Sequence, residues 1–430
     1  MMKTILYPPQ EKWSDLCRRP GITKNDLENL VKNIISRVRD AGDTAIREFS
    51  EKYDGFAPGA LKVEEEAIVA AAASIPEELK AAIEMARFNI EKFHLLPAPA
   101  IKVTESIRGV RCWSRELPIE KVGLYIPGGT APLFSTVLML AIPASLAGCR
   151  EIILCSPPGK NGEIDPLILY AASVSGVTAI YRVGGAQAIA AMAYGTETVP
   201  AVHKIFGPGN QYVTKAKELV QTDGIAIDMP AGPSEVLIIA DKTSDPRFVA
   251  ADLLSQAEHG PDSQVIMLTD SSELIDLVRD EVALQVKQLK RRDIALRALE
   301  NSALILLKSS DDCISFSNMY APEHLIIAVS NHRSLANRVN NAGSVFLGTY
   351  SCESIGDYAS GPNHTLPTNG YAKSFSGVST ESFMKKVFFQ EITPEGLRNL
   401  GPAVELMAEA EMLDAHKNAV SIRLKSLNND

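Results

Sequence analysis

Lys121-Val-Gly-Leu-Tyr-Ile-Pro-Gly-Gly-Thr-Ala-Pro132 is a β-branched and aromatic run that breaks at a glycine turn and leads into Thr136 to Gly148, the longest apolar stretch of the chain. Read in order, it predicts a strand, a tight turn and a buried helix. The alternation continues through Glu151-Ile-Ile-Leu-Cys155, Ala179-Ile-Tyr-Arg-Val183 and Lys204-Ile-Phe206. A second series follows in Glu235-Val-Leu-Ile-Ile-Ala240, Gln264-Val-Ile-Met-Leu268, Ala303-Leu-Ile-Leu-Leu307, Leu325-Ile-Ile-Ala-Val329 and Ser344-Val-Phe-Leu347. Short strands alternating with amphipathic helices build parallel sheets covered on both faces. The fold class is therefore α/β, with two units meeting near residue 234.

Outward from these two series the chain is more helical. Leu27, Leu30, Val31 and Ile34 recur at helical spacing within a segment from about 20 to 100, which is expected to pack against the second α/β unit. Tyr350 to Gly370 is rich in Gly, Ser, Pro and Asn, a composition of functional loops. Beyond it Thr393 is placed to cap a helix with Pro394 in its first position. A last helix from Leu413 to Leu427 carries Val420 and Leu424, and such a tail is suited to docking on a partner subunit. Small helical extensions are thus expected at both ends.

The 430 residues are 46% hydrophobic and 22% charged, enough apolar surface for two or three packed units and too little charge for disorder. Asp and Glu outnumber Lys and Arg by 52 to 43, and the net charge of -9 disfavours adhesion to nucleic acid or anionic membrane. Small molecules and copies of itself are the expected partners. Met1 to Pro9 lacks the apolar core of a secretory signal, and Thr136 to Gly148 is shorter than the ~20 residues that span a bilayer. Cys17, Cys112, Cys149, Cys155, Cys313 and Cys352 are scattered with no C-x-x-C pair, which argues against a disulfide scaffold and a thiolate zinc site. Reduced thiols in a cytoplasmic compartment are expected.

Four features carry chemistry. The helix opening at Ser244-Asp-Pro246 is expected to hold Gln256 and His259 in its last turn, sharing one face. An amide oxygen and an imidazole there suit a borderline metal such as zinc, although a histidine at a helix end also complements the dipole. Asp357 and His364 lie in the Gly/Pro/Asn-rich loop, where they are either ligands or turn formers, and His416 sits on the last helix between Leu413 and Val420. Ala321-Pro-Glu-His-Leu325 sets a carboxylate beside an imidazole just before a strand, so Glu323 and His324 are expected to project in different directions and serve different steps. A solvent-facing acid–base pair is the alternative. The chain has no G-x-G-x-x-G fingerprint, but Pro127 to Pro132, Val183-Gly-Gly-Ala-Gln187 and Gly207-Pro-Gly-Asn-Gln211 are glycine turns. Each is either a tight structural turn or a place where backbone N–H groups meet phosphate, so the units are Rossmann-like but incomplete.

Taken together and in order, Val122-Gly-Leu-Tyr-Ile-Pro-Gly-Gly129, Val183-Gly-Gly-Ala-Gln-Ala188, Phe206-Gly-Pro-Gly-Asn210, Asp228-Met-Pro-Ala-Gly-Pro-Ser-Glu235, Leu254-Ser-Gln-Ala-Glu-His-Gly260, Ala321-Pro-Glu-His-Leu325 and Asp414-Ala-His-Lys-Asn418 resemble the histidinol dehydrogenase family over essentially the whole chain. The resemblance implies a homodimer with one zinc per active site that oxidises L-histidinol through L-histidinal to L-histidine with two NAD, the last step of histidine biosynthesis. It implies zinc ligands Gln256, His259, Asp357 and, across the dimer, His416. It places NAD against Tyr125, Gln187 and Asn210. Substrate would contact Ser234, His364 and Glu411 besides His324 and the zinc ligands, and Glu323 and His324 would do the acid–base work. The domains implied are an arm over 1–20, a body over 21–120 plus 235–377 carrying most zinc and catalytic residues, an NAD-binding unit over 121–234, and a tail over 378–430 docking on the partner. A zinc dehydrogenase for another alcohol, a zinc hydrolase using Glu323 on water, and a nucleotide-binding scaffold are the rival readings.

Overall fold

The computed structural model describes residues 2–19, 25–96, 101–128, 132–230 and 232–427, so residues 129–131 of the expected Pro127 to Pro132 turn lie outside the described residues, as do residues 1 and 20 of the expected arm. The chain divides into two compact units, Met1–Leu95 with Ile119–Phe383, and Leu96–Pro118 with Met384–Asp430.

The larger unit holds two parallel sheets. One has the strand order Ala179–Arg182, Glu151–Ser156, Lys121–Tyr125, Lys204–Phe206, Ala226–Ile227. The other runs Lys3–Leu6, Ala303–Leu306, Gln264–Thr269, Glu235–Ala240, His324–Ile327, Ser344–Leu347. The inner strands are apolar on both faces, with Leu124, Leu154, Leu237 and Ile238 fully buried, because helices cover each side. Phe134–Ala147 is the buried helix expected from its sequence and accommodates Pro143 within it. In each sheet the first strand of its series is central, and the chain grows outward in both directions from it. That arrangement creates a switch point beside Lys121–Tyr125 and another beside Glu235–Ala240.

Three placements differ from expectation. The helical segment Asn25–Asp54, broken at Gly42, packs Val31, Ile34, Val38 and Ile46 into the core of the five-stranded sheet with Tyr125 and Ile189, not against the second sheet. Periodicity reports that a helix has an apolar face, not which core receives it. Lys3–Leu6 is an edge strand of the second sheet, paired with Ala303–Leu306, where an arm was expected. The smaller unit is not purely helical. Val110–Pro118 pairs antiparallel with both Thr104–Ile107 and Met384–Ile392, and the helices Pro394–Ala410 and Asp414–Ser426 pack together, with Gly401 close against Leu424. The pairing with Met384–Ile392 spans too long a chain separation to leave a local signature, whereas Thr104–Ile107 and Val110–Pro118 form a hairpin across Arg108-Gly109. Thr393 caps as expected, accepting from Gly396 N at 3.1 Å.

A buried ion pair fixes the turn after Lys204–Phe206. Lys217 and Asp228 form a salt bridge with both side chains buried. Lys217 Nζ also donates to Gly207 O at 2.9 Å, while Gly207 N donates to Asp228 Oδ2 at 2.8 Å. Gly207 has φ +124° and a Cβ there would meet Tyr125 O at 2.1 Å, so only glycine fits. Lys217→Met should cost about 3–5 kcal/mol by stranding the Asp228 charge, read as a lowered urea midpoint; an unchanged midpoint would show that the pair does not hold this turn.

Candidate metal and acid–base site

The acid–base pair is built where the chain enters the strand His324–Ile327. The preceding helix Ser310–Tyr320 ends with Ala321 in the left-handed region at φ 54°, which turns Pro322 and Glu323 back toward the neighbouring strand. The register sets His324 beside Val236. Glu235 N then donates to Glu323 Oε2 at 2.7 Å, and Glu235 O lies 3.3 Å from His324 Nδ1. One residue's backbone thus grips both groups. Glu323 Oε2 is 3.7 Å from His324 Nδ1, so the two converge instead of diverging, because Glu323 occupies a bend and not extended strand.

The grip orients the imidazole. A carbonyl beside Nδ1 favours the proton on that nitrogen and leaves Nε2 facing the cavity. Nε2 is buried without a hydrogen-bond partner, and so is Asp357 Oδ1, 3.4 Å away. At that distance the two are coupled by charge more than by a formed hydrogen bond. Burial alone would favour neutral His324, but the Glu323 charge and the Asp357 carboxylate outweigh it and raise the imidazolium pKa well above the ordinary histidine value.

Asp357 stands in a short helix, Glu353–Tyr358, inside what was expected to be loop. That helix brings Glu353, four residues earlier and on the same face, into the site. One ligand atom each from His259, Glu353 and Asp357 lie within 4.8 Å of one another. His259 is exposed just past the end of Pro246–Ala257, so it follows the helix instead of sitting in its last turn, while Gln256 within that helix is buried. Burial would lift Asp357, but the His324 and His364 imidazoles hold its carboxyl well below the usual range. Glu353 is pushed up, first by burial and then by the Asp357 charge.

The donors suit a cation: Asp357 Oδ1 is buried without a hydrogen-bond partner in the cluster that it forms with His259 and Glu353. Gln256 joins that cluster, its Nε2 donating to Glu353 Oε1 at 2.7 Å while its Oε1 accepts from Glu235 N at 3.1 Å. Amide oxygen, imidazole and carboxylate are zinc-type donors.

Other expected residues are placed as follows. His364 lines the same cavity, with Nδ1 2.7 Å from Asp357 O and Nε2 3.1 Å from Thr136 Oγ1, and burial lowers its pKa. Ser234 immediately precedes the Glu235–Ala240 strand and is half-buried. Glu411 and His416 belong to the smaller unit, where both are exposed. Tyr125, Gln187 and Asn210 all line a separate cavity of about 880 Å³ at the carboxyl ends of the five-stranded sheet. There Gly185 N donates to Tyr125 Oη at 3.1 Å, Asn210 caps the helix Gln211–Thr222, and the buried Gln187 Nε2 has no partner. Glu353 and Glu235 were not anticipated. The Glu353/Asp357 spacing was readable once the segment is helical, and Glu235 is the one carboxylate in the otherwise apolar Glu235–Ala240 strand.

Fold and site together define an α/β protein whose larger unit carries a buried acid–base pair beside a cluster of candidate metal donors at the amino ends of one parallel sheet, and a second cavity at the carboxyl ends of the other. A model of the histidinol dehydrogenase family matches residues 17–424. The chain is 57% identical to histidinol dehydrogenase of Bacteroides thetaiotaomicron, over 99% of this chain and 100% of the relative. It is 52% identical to the enzyme of Vibrio cholerae, over 99% of each. A crystal structure of histidinol dehydrogenase from Elizabethkingia anophelis superimposes with a TM-score of 0.96 at 54% identity, covering 99% of both chains. The chain belongs to the histidinol dehydrogenase family.

Because His259 is exposed, replacing it tests the cluster without opening the core. His259→Ala should lower zinc affinity by about 10–100-fold or more, measured by competition with a chromogenic chelator, with circular dichroism unchanged. Full retention of zinc would remove His259 from the ligand set.

Proposed function

We propose that this chain is a zinc-dependent, NAD-linked histidinol dehydrogenase that converts L-histidinol through L-histidinal to L-histidine, the last step of histidine biosynthesis. The observation that carries the reading is the clamped Glu323/His324 pair next to the His259, Glu353 and Asp357 cluster in a chain of this family. Gln256, His259, Asp357 and His416 of the partner subunit would hold zinc, which supplies a positive charge to anchor the substrate's nitrogen donors. NAD is a substrate of both oxidations and accepts a hydride in each. Tyr125, Gln187 and Asn210 are the residues proposed to bind it.

The chain's own groups perform the proton transfers. With Asp357 committed to a cation, one of the two carboxylate charges that keep a proton on His324 is offset, which favours a neutral ring whose Nε2 can accept one. In the first oxidation His324 takes the carbinol hydroxyl proton as a hydride leaves the adjacent carbon with its electron pair, giving the aldehyde. Glu323 then takes a proton from water as the water oxygen bonds to the aldehyde carbon, and protonated His324 returns its proton to the former carbonyl oxygen, giving the hydrate and leaving His324 neutral again. In the second oxidation His324 takes a hydroxyl proton of that hydrate while the remaining hydride leaves, giving the acid. Ser234, His364 and Glu411 are proposed to contact substrate. For His364 this requires release of its bond to Thr136, since both its ring nitrogens are engaged by protein groups.

In this reading the five-stranded sheet serves NAD, the six-stranded sheet serves zinc and substrate, and the 378–430 tail docks on the second copy of a homodimer. No helix among the described residues is long and apolar enough to cross a membrane. The six cysteines are free, which suits a reducing, cytoplasmic setting.

NADH formed per histidinol consumed should approach ~2, which separates this reading from a hydrolase or a single-step alcohol dehydrogenase. In the same assay Glu323→Gln should slow histidinal oxidation by about 10²-fold or more while histidinol oxidation falls far less; equal losses in the two half-reactions would refute the division of labour.

Composite sites make a separate prediction. Mixed dimers of inactive Gln256→Ala and inactive His416→Ala chains should regain about half of wild-type activity per hybrid, because each hybrid contains one intact site of two. Verified hybrids that stay inactive would rule out ligand sharing.

A further inference from the structure

The cavity at the carboxyl ends of the five-stranded sheet contains a carboxylate that the proposed chemistry leaves idle. Asp54 is the last residue of the helical segment Asn25–Asp54 and lines this cavity. Its Oδ2 is buried and has no hydrogen-bond partner. The other cavity carboxylates are committed: Glu163 to Arg182 at 2.7 Å, and Asp165 to the N–H of Leu167 at 2.9 Å as a helix cap. Burial lifts the Asp54 carboxyl to about 6, the sign of an acceptor held away from water without donors. Its charge reaches the Tyr125 phenol, which in turn meets the Gly185 N–H at the start of a helix.

The surroundings of Asp54 are divided by chemistry. Leu30, Ile34 and Tyr53 line the same cavity, and Leu30 and Tyr53 are 37% and 46% exposed, an apolar and aromatic surface open to a flat ring. The glycine turns at Gly128 and Gly185 line it too, and the latter begins the helix Gly185–Tyr194. A ligand that fits has a planar base, a sugar with free hydroxyls and a phosphate, in that order.

We propose that Asp54 accepts hydrogen bonds from the vicinal 2′- and 3′-hydroxyls of the adenosine ribose of NAD and thereby excludes a dinucleotide carrying a 2′-phosphate. The proposal rests on reading this cavity as the NAD site. A diol supplies the donors that the carboxylate lacks, whereas a phosphate at the 2′ position brings a second negative charge against it in a partly enclosed space. Arg182 nearby is held by Glu163 and by the carbonyl of Lys62 at 2.8 Å, so among the described residues the cation lining this cavity is the exposed Lys160, and the NADP arm of the test weighs its attraction for a phosphate against the repulsion from Asp54.

The test is equilibrium binding to the full-length protein without histidinol, by calorimetry, for NAD, NADP, AMP and nicotinamide mononucleotide. Wild type should bind NAD in clear preference to NADP. Asp54→Asn should weaken NAD and AMP by about tenfold or more, leave nicotinamide mononucleotide within about twofold, and shrink the preference over NADP by about tenfold. Asp54→Glu, which keeps the charge, should continue to reject NADP; it serves as the second measurement if the asparagine variant does not fold. Unchanged NAD affinity and unchanged preference in Asp54→Asn would overturn the assignment, as would loss confined to nicotinamide mononucleotide. Failure of wild type to bind NAD at all would instead overturn the reading of the cavity.

Discussion

Both catalytic candidates depend on the backbone of a single residue, Glu235. Its N–H holds the Glu323 carboxylate and its carbonyl faces His324 Nδ1, so any shift of this residue moves acid and base together. The side chain of Glu235 is fully buried, where an unpaired carboxylate would be strongly disfavoured. Arg19 answers that charge with two bonds of 2.9 Å and lies over the Tyr320 ring at 3.5 Å, while Asn369 N adds a third donor at 2.7 Å. Segments distant in sequence are thereby tied to one point. Breaking such a pair from one side is far more costly than never having built it, because the remaining charge stays buried. The geometry of the acid–base pair is consequently as rigid as the centre of the sheet.

The two sheets are used from opposite ends. In the five-stranded sheet the cavity opens at the carboxyl ends beside the central strand, the position that parallel topology makes available for ligands. In the six-stranded sheet Glu323, His324 and Glu235 stand at amino ends instead. There the adjacent strand starts supply the clamp, the helix Glu353–Tyr358 brings in the candidate donors Glu353 and Asp357, and the helix Pro246–Ala257 brings in Gln256 with His259 just beyond its end. His364 and Asn363 join the systems, bonding to Thr136 Oγ1 and Met139 O of the helix that follows the first glycine turn. A motion of that helix on ligand binding would be felt directly at Asp357, whose carbonyl His364 also contacts.

What the sequence revealed and what it hid divide along one line. Strands such as Glu151–Ser156 and Gln264–Thr269 were legible because an element buried on both faces needs a continuous apolar run. The helix start at Ser244-Asp-Pro246 and the Thr393 cap were legible because helix initiation and capping are local chemistry. Relations between distant segments were not. Nothing in Leu27 to Ile34 specifies which sheet the helix covers, and the exposed strand Met384–Ile392 shows little of the burial pattern that would betray it. At the site, residue types suggested acid, base and metal donors, and the family resemblance assigned their roles. The convergence of Glu323 on His324 required Ala321 to adopt the left-handed conformation, which a non-glycine residue does not advertise. Glu353 stayed hidden because a glycine inside Glu353–Tyr358 made a helix look like a loop.

The edge strand Lys3–Leu6 has a temporal meaning. It pairs with Ala303–Leu306, and Arg19 reaches Glu235 and the carbonyl of Tyr320. During synthesis these early residues emerge long before their partners exist, so the start of the chain waits, unpaired, while the five-stranded sheet between them is already able to form. Closure of the clamp is therefore a late event, and a nascent chain stalled between Ile227 and Ala303 would hold the strands of the five-stranded sheet without the clamped acid–base pair.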